Sequence, residues 1–178
     1  TGSSNTAFGY KALNANTTGA QNVAFGSNAL KSNTTGYSNI AIGGFETGFN
    51  LTTGGSNILL GTETGKTLTT GGHNVFIGVQ SGEDVQTGEF SVGIGNYSLK
   101  DATGSQNIAI GYNSASSLTS GANNIVIGYD VNSSSATVSN EITLGNSSIT
   151  SFRIPGLQSG ASNGQVLTYN SSNGNITL

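Results

Sequence analysis

Cysteine, methionine and tryptophan are absent from the sequence, and proline occurs once. Without cysteine the chain has neither a disulfide framework nor a thiolate metal site, so other interactions must stabilise it. Charged residues make up only 7% of the chain, against roughly 25% in an ordinary soluble domain. The five Lys and Arg residues are too few to neutralise many phosphates, so we expect no nucleic-acid partner. No apolar run approaches the roughly 18 residues of a transmembrane helix, so we expect no membrane insertion.

Glycine, serine, threonine and asparagine supply a little over half of the residues, and they recur in a repeat. A glycine closes each short apolar run, and most successive closing glycines are 17 residues apart. Each unit reads T-G-x-x-N, apolar, small, apolar, glycine, as in TGYSNIAIG and TGSQNIAIG. A fixed period of this kind indicates a repeat architecture. The nine closing glycines are Gly9, Gly26, Gly43, Gly61, Gly78, Gly95, Gly111, Gly128 and Gly145.

The length and pattern of the unit predict its fold. Seventeen residues are too few for a pair of packed helices, and the apolar residues alternate with period two, which is typical of a strand. Each unit therefore holds one short strand plus turns, and glycine supplies the corners. We predict an all-β fold, a parallel β-roll or β-solenoid of about nine 17-residue coils over residues 1–146. At about 4.8 Å per coil, the rod is roughly 40 Å long.

The alternation gives each predicted strand two different faces. Ile108 and Ile110 share one face, as do their equivalents in other units, and the residue between them, here Ala109, is mostly small. Each coil has few large apolar side chains with which to offset the entropy of ordering its backbone, so we expect an intermolecular partner. A persistently small residue indicates close packing. We therefore predict that the small-residue row is the contact between identical chains wound about one axis.

One asparagine precedes the apolar run in almost every unit. Stacked coils would place these side chains in one column, where their amides hydrogen-bond from coil to coil. We predict a structural asparagine ladder, interrupted by a serine at position 91. Its members are Asn22, Asn39, Asn57, Asn74, Asn107 and Asn124.

The period lapses after the last unit, so residues 147–178 form a second segment. Phe152 and Ile154 alternate before Pro155, which ends any central strand. The strings GQVLTYN and GNITL predict a short hairpin with Asn173 and Gly174 as turn residues. We interpret this segment as a C-terminal connector or cap that joins the roll to adjoining fibre domains.

The cores NIAIG and NVAFG, with their TTG connectors, resemble the head repeats of trimeric autotransporter adhesins. They resemble still more the longer-period repeats of phage tail fibres and related bacterial trimeric adhesive fibres. The string NEITLGNSSITSFRIPGLQSG resembles the segment that often follows such repeats in phage fibres. The resemblance implies a homotrimer of parallel β-rolls, extracellular on a virion or a bacterial cell surface, that serves as a shaft or an adhesin.

Three short motifs offer chemistry, and each has a simpler interpretation. Residues 61–67 resemble a phosphate-binding loop, but three residues separate the glycines where that motif needs four. His73 is the only histidine and has no second imidazole or thiol nearby in the sequence, so we interpret it as a solvated turn residue. Glu83 and Asp84 are an acidic pair typical of a solvated turn. We therefore expect no enzyme, no metal and no cofactor.

Two surface columns are candidates for binding. Tyr10, Tyr112 and Tyr129 each follow a closing glycine, and exposed tyrosine beside polar residues is suited to sugars. The alternative is a stabilising stack of neighbouring tyrosines. The second column is threonine, which binds ice on flat solenoid faces, but each threonine pair here runs into a glycine corner. Its members are Thr18, Thr35, Thr53, Thr70, Thr87 and Thr103.

These observations predict a non-enzymatic fibre segment of a phage tail fibre or bacterial surface adhesin. Three copies of a weak site would bind a host or prey cell-surface glycan or protein together, and avidity would replace a deep pocket. The alternatives are a passive shaft spacer without a ligand and an ice-binding solenoid.

Overall fold

The computed structural model describes residues 2–151 and the backbone of residues 168–170 and 175–177. This part of the chain is all-β and contains no helix. Nine strands form one parallel sheet in chain order, each paired with the strand one coil further on. The predicted β-solenoid is confirmed, and its nine strands delimit about eight complete turns. The strands are β1 (Thr6–Phe8), β2 (Val23–Ser27), β3 (Ile40–Phe45), β4 (Ile58–Leu60), β5 (Val75–Ile77), β6 (Val92–Ile94), β7 (Ile108–Ile110), β8 (Ile125–Ile127) and β9 (Ile142–Leu144).

The register of the sheet follows the repeat of the sequence. Equivalent residues pair directly, so that Ile108 lies opposite Ile125 and Ala109 opposite Val126. The one irregularity lies between β2 and β3, where Ser27 pairs with Phe45. This is the coil whose closing glycine is followed by a second glycine and whose unit is one residue longer. The extra residue is absorbed as a bulge at the strand end.

Left-handed backbone turns bend each coil. The residue before each ladder asparagine has a positive φ whatever its side chain, for example Gln21 at 60°, His73 at 59° and Phe90 at 57°. Seven of the nine closing glycines have φ between +125° and +144°, as in Gly61 at +136°, a conformation that other residues rarely adopt. A side chain there would also collide with the next coil, because a Cβ on Gly61 would lie 2.6 Å from the carbonyl oxygen of Gly78.

The small-residue row lies inside the coil and does not face another chain. The middle residue of each strand, called here the inner column, is fully buried at Ala24, Ala41, Leu59, Phe76 and Ala109. The prediction that this row is the contact between chains is therefore wrong. Further buried columns share the interior with it and enlarge the core beyond the strand residues. Their largest side chains are Leu30, Leu51, Leu68, Leu99 and Leu118.

The inner column is mostly small because the opposite wall of the coil limits its space. In several coils that wall carries, four residues after the closing glycine, a residue whose size compensates for the inner one. Ala24 shares its coil with Leu30, whereas Phe76 shares its coil with Gly82. A Cβ on Gly82 would lie 2.6 Å from the Phe76 ring. These coils thus fill the interior with a different division between their two walls.

The chain divides into two compact units, Thr1–Asn146 and Ser147–Leu178. In the second unit, β10 (Thr168–Asn170) and β11 (Asn175–Thr177) pair antiparallel, with Asn170 opposite Asn175. The predicted hairpin is confirmed. Its turn residues, Asn173 and Gly174, and the alternation of Phe152 and Ile154 before Pro155 lie outside the described residues.

Candidate interaction surfaces

The outer surface of the parallel sheet is apolar and exposed. The first and third residues of strands β1–β9, called here the sheet face, are all Val, Ile, Leu or Phe except Thr6. Exposure reaches 65% at Phe8 and 67% at Ile142 and is near 37% at Ile94 and Ile110, whereas both sheet-face residues of β5 are half-buried. The rings of Phe8 and Phe25 stack with centroids 4.7 Å apart. The sheet face is therefore a continuous hydrophobic strip about 38 Å long at about 4.8 Å per strand.

The asparagine column holds the strands of this face in register. The side-chain oxygen of Asn39 accepts from both the backbone N and the Nδ2 of Asn57, each at 3.0 Å. Asn57 Nδ2 also donates to the Gly71 carbonyl at 3.0 Å. The same bonds join Asn22 to Asn39, Asn57 to Asn74 and Asn107 to Asn124. Every Asn in this column is fully buried from position 22 to position 124.

Ser91 interrupts the column without ending it. Its backbone N donates to Asn74 Oδ1 at 2.9 Å, and its Oγ accepts from the backbone N of Asn107 at 3.2 Å. Ser91 therefore keeps the hydrogen bonds that involve the backbone of neighbouring coils. It has no amide group to bond the side chains of Asn74 and Asn107. The asparagine column is a stabilising element in the interior, and its side chains are not available to a ligand.

Charged side chains lie on the turn side, defined here as the second to sixth residues after each closing glycine. Lys66 Nζ lies 2.9 Å from a Glu46 oxygen and 2.8 Å from a Glu63 oxygen. Gln80 Nε2 donates to Glu63 at 2.9 Å and to Glu83 at 3.2 Å. The network thus links coils along the solenoid. It also occupies the lysine of the loop-like motif at residues 61–67 with carboxylates.

The carboxylates of this network have different environments. The hydrogen bond from Lys66, assisted by Gln80, lowers the pKa of Glu63 below 4.5. The same contacts with Glu63 and Glu46 raise the pKa of Lys66. Burial, and then the charge of Asp84, raise the pKa of Glu83. Glu83 is therefore a half-buried member of the network, whereas Asp84 is exposed as expected of a solvated turn.

The three candidate tyrosines are not brought together. Tyr112 and Tyr129 stack with ring centroids 5.3 Å apart, and Tyr97 meets Tyr112 edge-on at 5.8 Å. Tyr129 is the most exposed of these three at 69%. Tyr10 lies about six coils away, roughly 29 Å along the solenoid, and carries the Lys11 ammonium 5.0 Å from its ring centroid. The stabilising stack predicted as the alternative is present for Tyr112 and Tyr129.

The two threonines of each pair have different surroundings. Thr17 Oγ1 donates to the Thr34 carbonyl at 2.9 Å, and Thr52 Oγ1 donates to the Thr69 carbonyl at 3.1 Å. The first threonine of each pair thus stabilises the stack, and its hydroxyl proton is committed to the next coil. The second threonine, as in Thr53, is exposed. The second threonines are exposed throughout, whereas Thr34 and Thr52 of the first column are half-buried.

His73 is an exposed turn residue, and its surroundings are aromatic. It precedes Asn74 in the left-handed position described above, and its ring stacks on Phe90 with centroids 4.9 Å apart and an angle of 5° between the planes. Phe90 is itself 54% exposed. The pair borders the sheet face on the side where the chain enters each strand.

The pattern of the sequence shows which residues share a face but not which face is inside. The missing signal was a further buried apolar column, seven residues after several closing glycines. Leu51, Leu68, Val85, Ala102 and Leu118 recur at 16 or 17 residues, the same period as the closing glycines. If that column lies inside the coil, the middle residue of each strand must also face the interior. The first and third residues of each strand then face outward.

Acidic and imidazole side chains are spread thinly, and no group of three or more His, Cys, Asp or Glu in the described residues is placed to hold a metal ion. Within the same part of the chain, no helix is long and apolar enough to cross a membrane. Comparison with protein-family models, curated proteins and solved structures finds no match for this chain. The functional argument therefore rests on the surfaces of the solenoid.

Proposed function

We propose that this chain is the repeat segment of a homotrimeric fibre that supports attachment to another surface. The observation that carries the proposal is the sheet face, an apolar strip that spans all nine strands and has no covering element among residues 2–151. Monomeric proteins rarely expose a continuous apolar patch larger than a few hundred Å². Identical chains that present their sheet faces to one axis would bury this strip.

The area of the sheet face is sufficient for a stable assembly. Taking about 200 Å² for a fully exposed large side chain, the exposed fractions add to on the order of 1,000 Å² per chain. A standard protein interface buries about 800 Å² per partner. The face contains no Lys, Arg, Asp or Glu, and depletion of charge is typical of interface cores. Threefold symmetry is favoured by the resemblance of the repeats to trimeric fibres.

Attachment would act through avidity. Three parallel copies repeat every surface site three times, so contacts that are individually weak bind together. The glycan contacts that we propose are Tyr10 at one end of the solenoid and Tyr112 and Tyr129 near the other. Such a fibre would be extracellular, on a virion or on a bacterial surface, and its ligand would be a glycan or protein on a host or prey cell.

Sedimentation of the purified chain tests the assembly. We expect a single species of three times the chain mass of 17.8 kDa at micromolar concentration. A folded monomer would overturn the proposal, and a dimer would replace the threefold axis with a twofold one.

Binding measurements test attachment. We expect the trimer to bind whole cells or members of a glycan array, and Tyr129→Ala to weaken that binding more than Tyr129→Phe. If the trimer binds nothing while a longer protein containing it does, the segment is a spacer. Thermal hysteresis at micromolar protein would instead support ice binding through the exposed threonine column.

A further inference from the structure

We propose that the two columns bordering the sheet face form the seams between neighbouring chains of the trimer, an inference that rests on the proposed homotrimer. The post-glycine column is the residue that follows each closing glycine, such as Thr62, Val79 or Tyr112. The pre-asparagine column is the left-handed residue before each ladder position, such as Ser56, His73 or Phe90. At each corner, the post-glycine column of one chain packs on the pre-asparagine column of the next.

The width of the sheet requires these columns to take part. Packed sheets lie about 10 Å apart, so three sheet faces around a threefold axis lie about 5 Å from it and enclose a triangle with sides of about 17 Å. A three-residue strand covers about 10 Å of that side at about 3.3 Å per residue. The remaining 3–4 Å at each end corresponds to about one residue. The ladder position and the closing glycine take up that residue at the two ends, and the two bordering columns follow directly, at the corners of the triangle.

The distribution of charge marks the same boundary. Neither bordering column contains Lys, Arg, Asp or Glu. Charges begin one residue further along the chain, where Lys11, Glu63 and Asp130 directly follow the post-glycine column. From β1 to β8 the strip without Lys, Arg, Asp or Glu is therefore wider than the sheet face by two residues on each side, and Glu141, in the ladder position before β9, is the exception. This pattern matches an apolar interface core bounded by a polar rim.

Both columns also expose large side chains in the middle of the solenoid. Phe90 is 54% exposed in the pre-asparagine column, and its partner in the stack, His73, is exposed as well. In the post-glycine column, Val79 is 39% exposed. The seam covers these central coils and leaves Tyr10 and Tyr112, nearer the two ends of the solenoid, open to a ligand. It is heterologous, because different columns meet at each corner, and threefold rotation closes the ring.

Introduced cysteines test the seam cleanly, because the chain has none of its own. We choose Ser56→Cys and Thr62→Cys, which replace small, half-buried residues on the two borders of β4. The intervening strand puts the two sites on the order of 15 Å apart within one chain, beyond the roughly 7 Å between Cα atoms that a disulfide spans. A link between them must therefore join two chains.

We expect the oxidised double variant to run as a covalent trimer on a non-reducing denaturing gel, and each single variant to run as a monomer. Ser38→Cys with Thr62→Cys covers an axial offset of one coil, and a covalent trimer from either pair supports the seam. Thr53→Cys with Thr62→Cys, which places one thiol on the exposed threonine column, is the matched control and should stay uncrosslinked.

Three results would overturn the seam. They are a wild-type trimer in sedimentation with no crosslink from either pair, covalent dimers from Thr62→Cys alone, and equal crosslinking of the control pair. Each leaves the fibre proposal standing, because the assembly is measured separately. A wild-type monomer in sedimentation would instead remove the fibre proposal and the seam together.

Discussion

The sheet face and the turn side of the solenoid are built by the same repeat, yet their chemistry is opposite. The sheet face contains large apolar side chains at 17 of its 18 positions and no charge. The turn side carries ten of the twelve charged residues between positions 2 and 151. A solenoid whose entire surface was in water would gain no stability from keeping apolar and charged side chains on different sides. In the proposed assembly, the sheet face meets identical chains and the turn side meets solvent.

The largest expected effect comes from placing a charge on the sheet face. Ile94→Asp would bring three carboxylates close to the axis, where burying each costs several kcal/mol. We expect the variant to sediment as a folded monomer or to lose the trimer at concentrations where the wild type keeps it. Asp101→Asn, on the turn side, is the control and should leave the mass unchanged. An intact Ile94→Asp trimer would mean that the sheet face does not face the axis.

A second test compares the inner column with the sheet face. Phe76 is fully buried and its ring fills the space left by Gly82. Phe76→Ala should lower the free energy of unfolding by about 3–5 kcal/mol, at any protein concentration, because the cavity lies within one coil. Phe25→Ala on the sheet face should instead cause a loss that grows as the protein is diluted. Urea titrations at two concentrations separate the two behaviours, and identical behaviour would contradict the contrast.

The asparagine column predicts a somewhat smaller effect. Asn57→Ala removes the acceptor of Asn74 and the donor to Asn39 and Gly71, and it leaves buried polar groups unpaired. We expect a loss of roughly 2–3 kcal/mol in the free energy of unfolding. Asn57→Ser should recover part of it, because the Ser91 hydroxyl already accepts from the backbone N of Asn107 in this column. Equal losses in the two variants would show that the backbone contacts contribute little.

The turn side predicts the smallest effect, and one that depends on pH. The folded pKa of Glu63 lies below 4.5, so its ion pair stabilises the fold above that pH and is lost as the pH falls through the folded pKa. Glu63 is partly exposed, so the contribution is below about 1 kcal/mol. Glu63→Gln should cost that amount at pH 7 and less at pH 3, because the ion pair weakens as the pH falls toward the folded pKa.

Thermal unfolding at the two pH values measures this difference. Glu89→Gln, an exposed carboxylate outside the network, is the matched control. The pKa of Glu83 is raised, so Glu83 changes the stability of the wild type with pH in the opposite direction. The difference in unfolding between Glu63→Gln and the wild type therefore isolates the contribution of Glu63. A loss that is equal at both pH values would assign the effect to packing.

Much of this architecture can be predicted from the sequence, because a period of 17 residues determines which residues of successive coils lie next to one another. The strand positions, the asparagine column and the hairpin follow from local pattern and turn residues. The orientation of the strands does not, since alternation is unchanged when the two faces are exchanged. What decides it is the volume between the two walls of a coil, as the pairs Phe76 with Gly82 and Ala24 with Leu30 show. The candidate tyrosines share one column, but the separation of Tyr10 from Tyr112 makes them two locations.

The left-handed residue before each ladder asparagine has a further consequence. This backbone conformation normally disfavours residues other than glycine by about 1–3 kcal/mol and persists only when its surroundings impose it. Here the same turn accommodates Ser, Gln, His, Phe and Asn in successive coils. The neighbouring rungs, and not the local side chain, dictate the bend. The identity of the side chain at this position is therefore independent of folding. Substitutions along the column can change which partner surface it contacts without changing the fold.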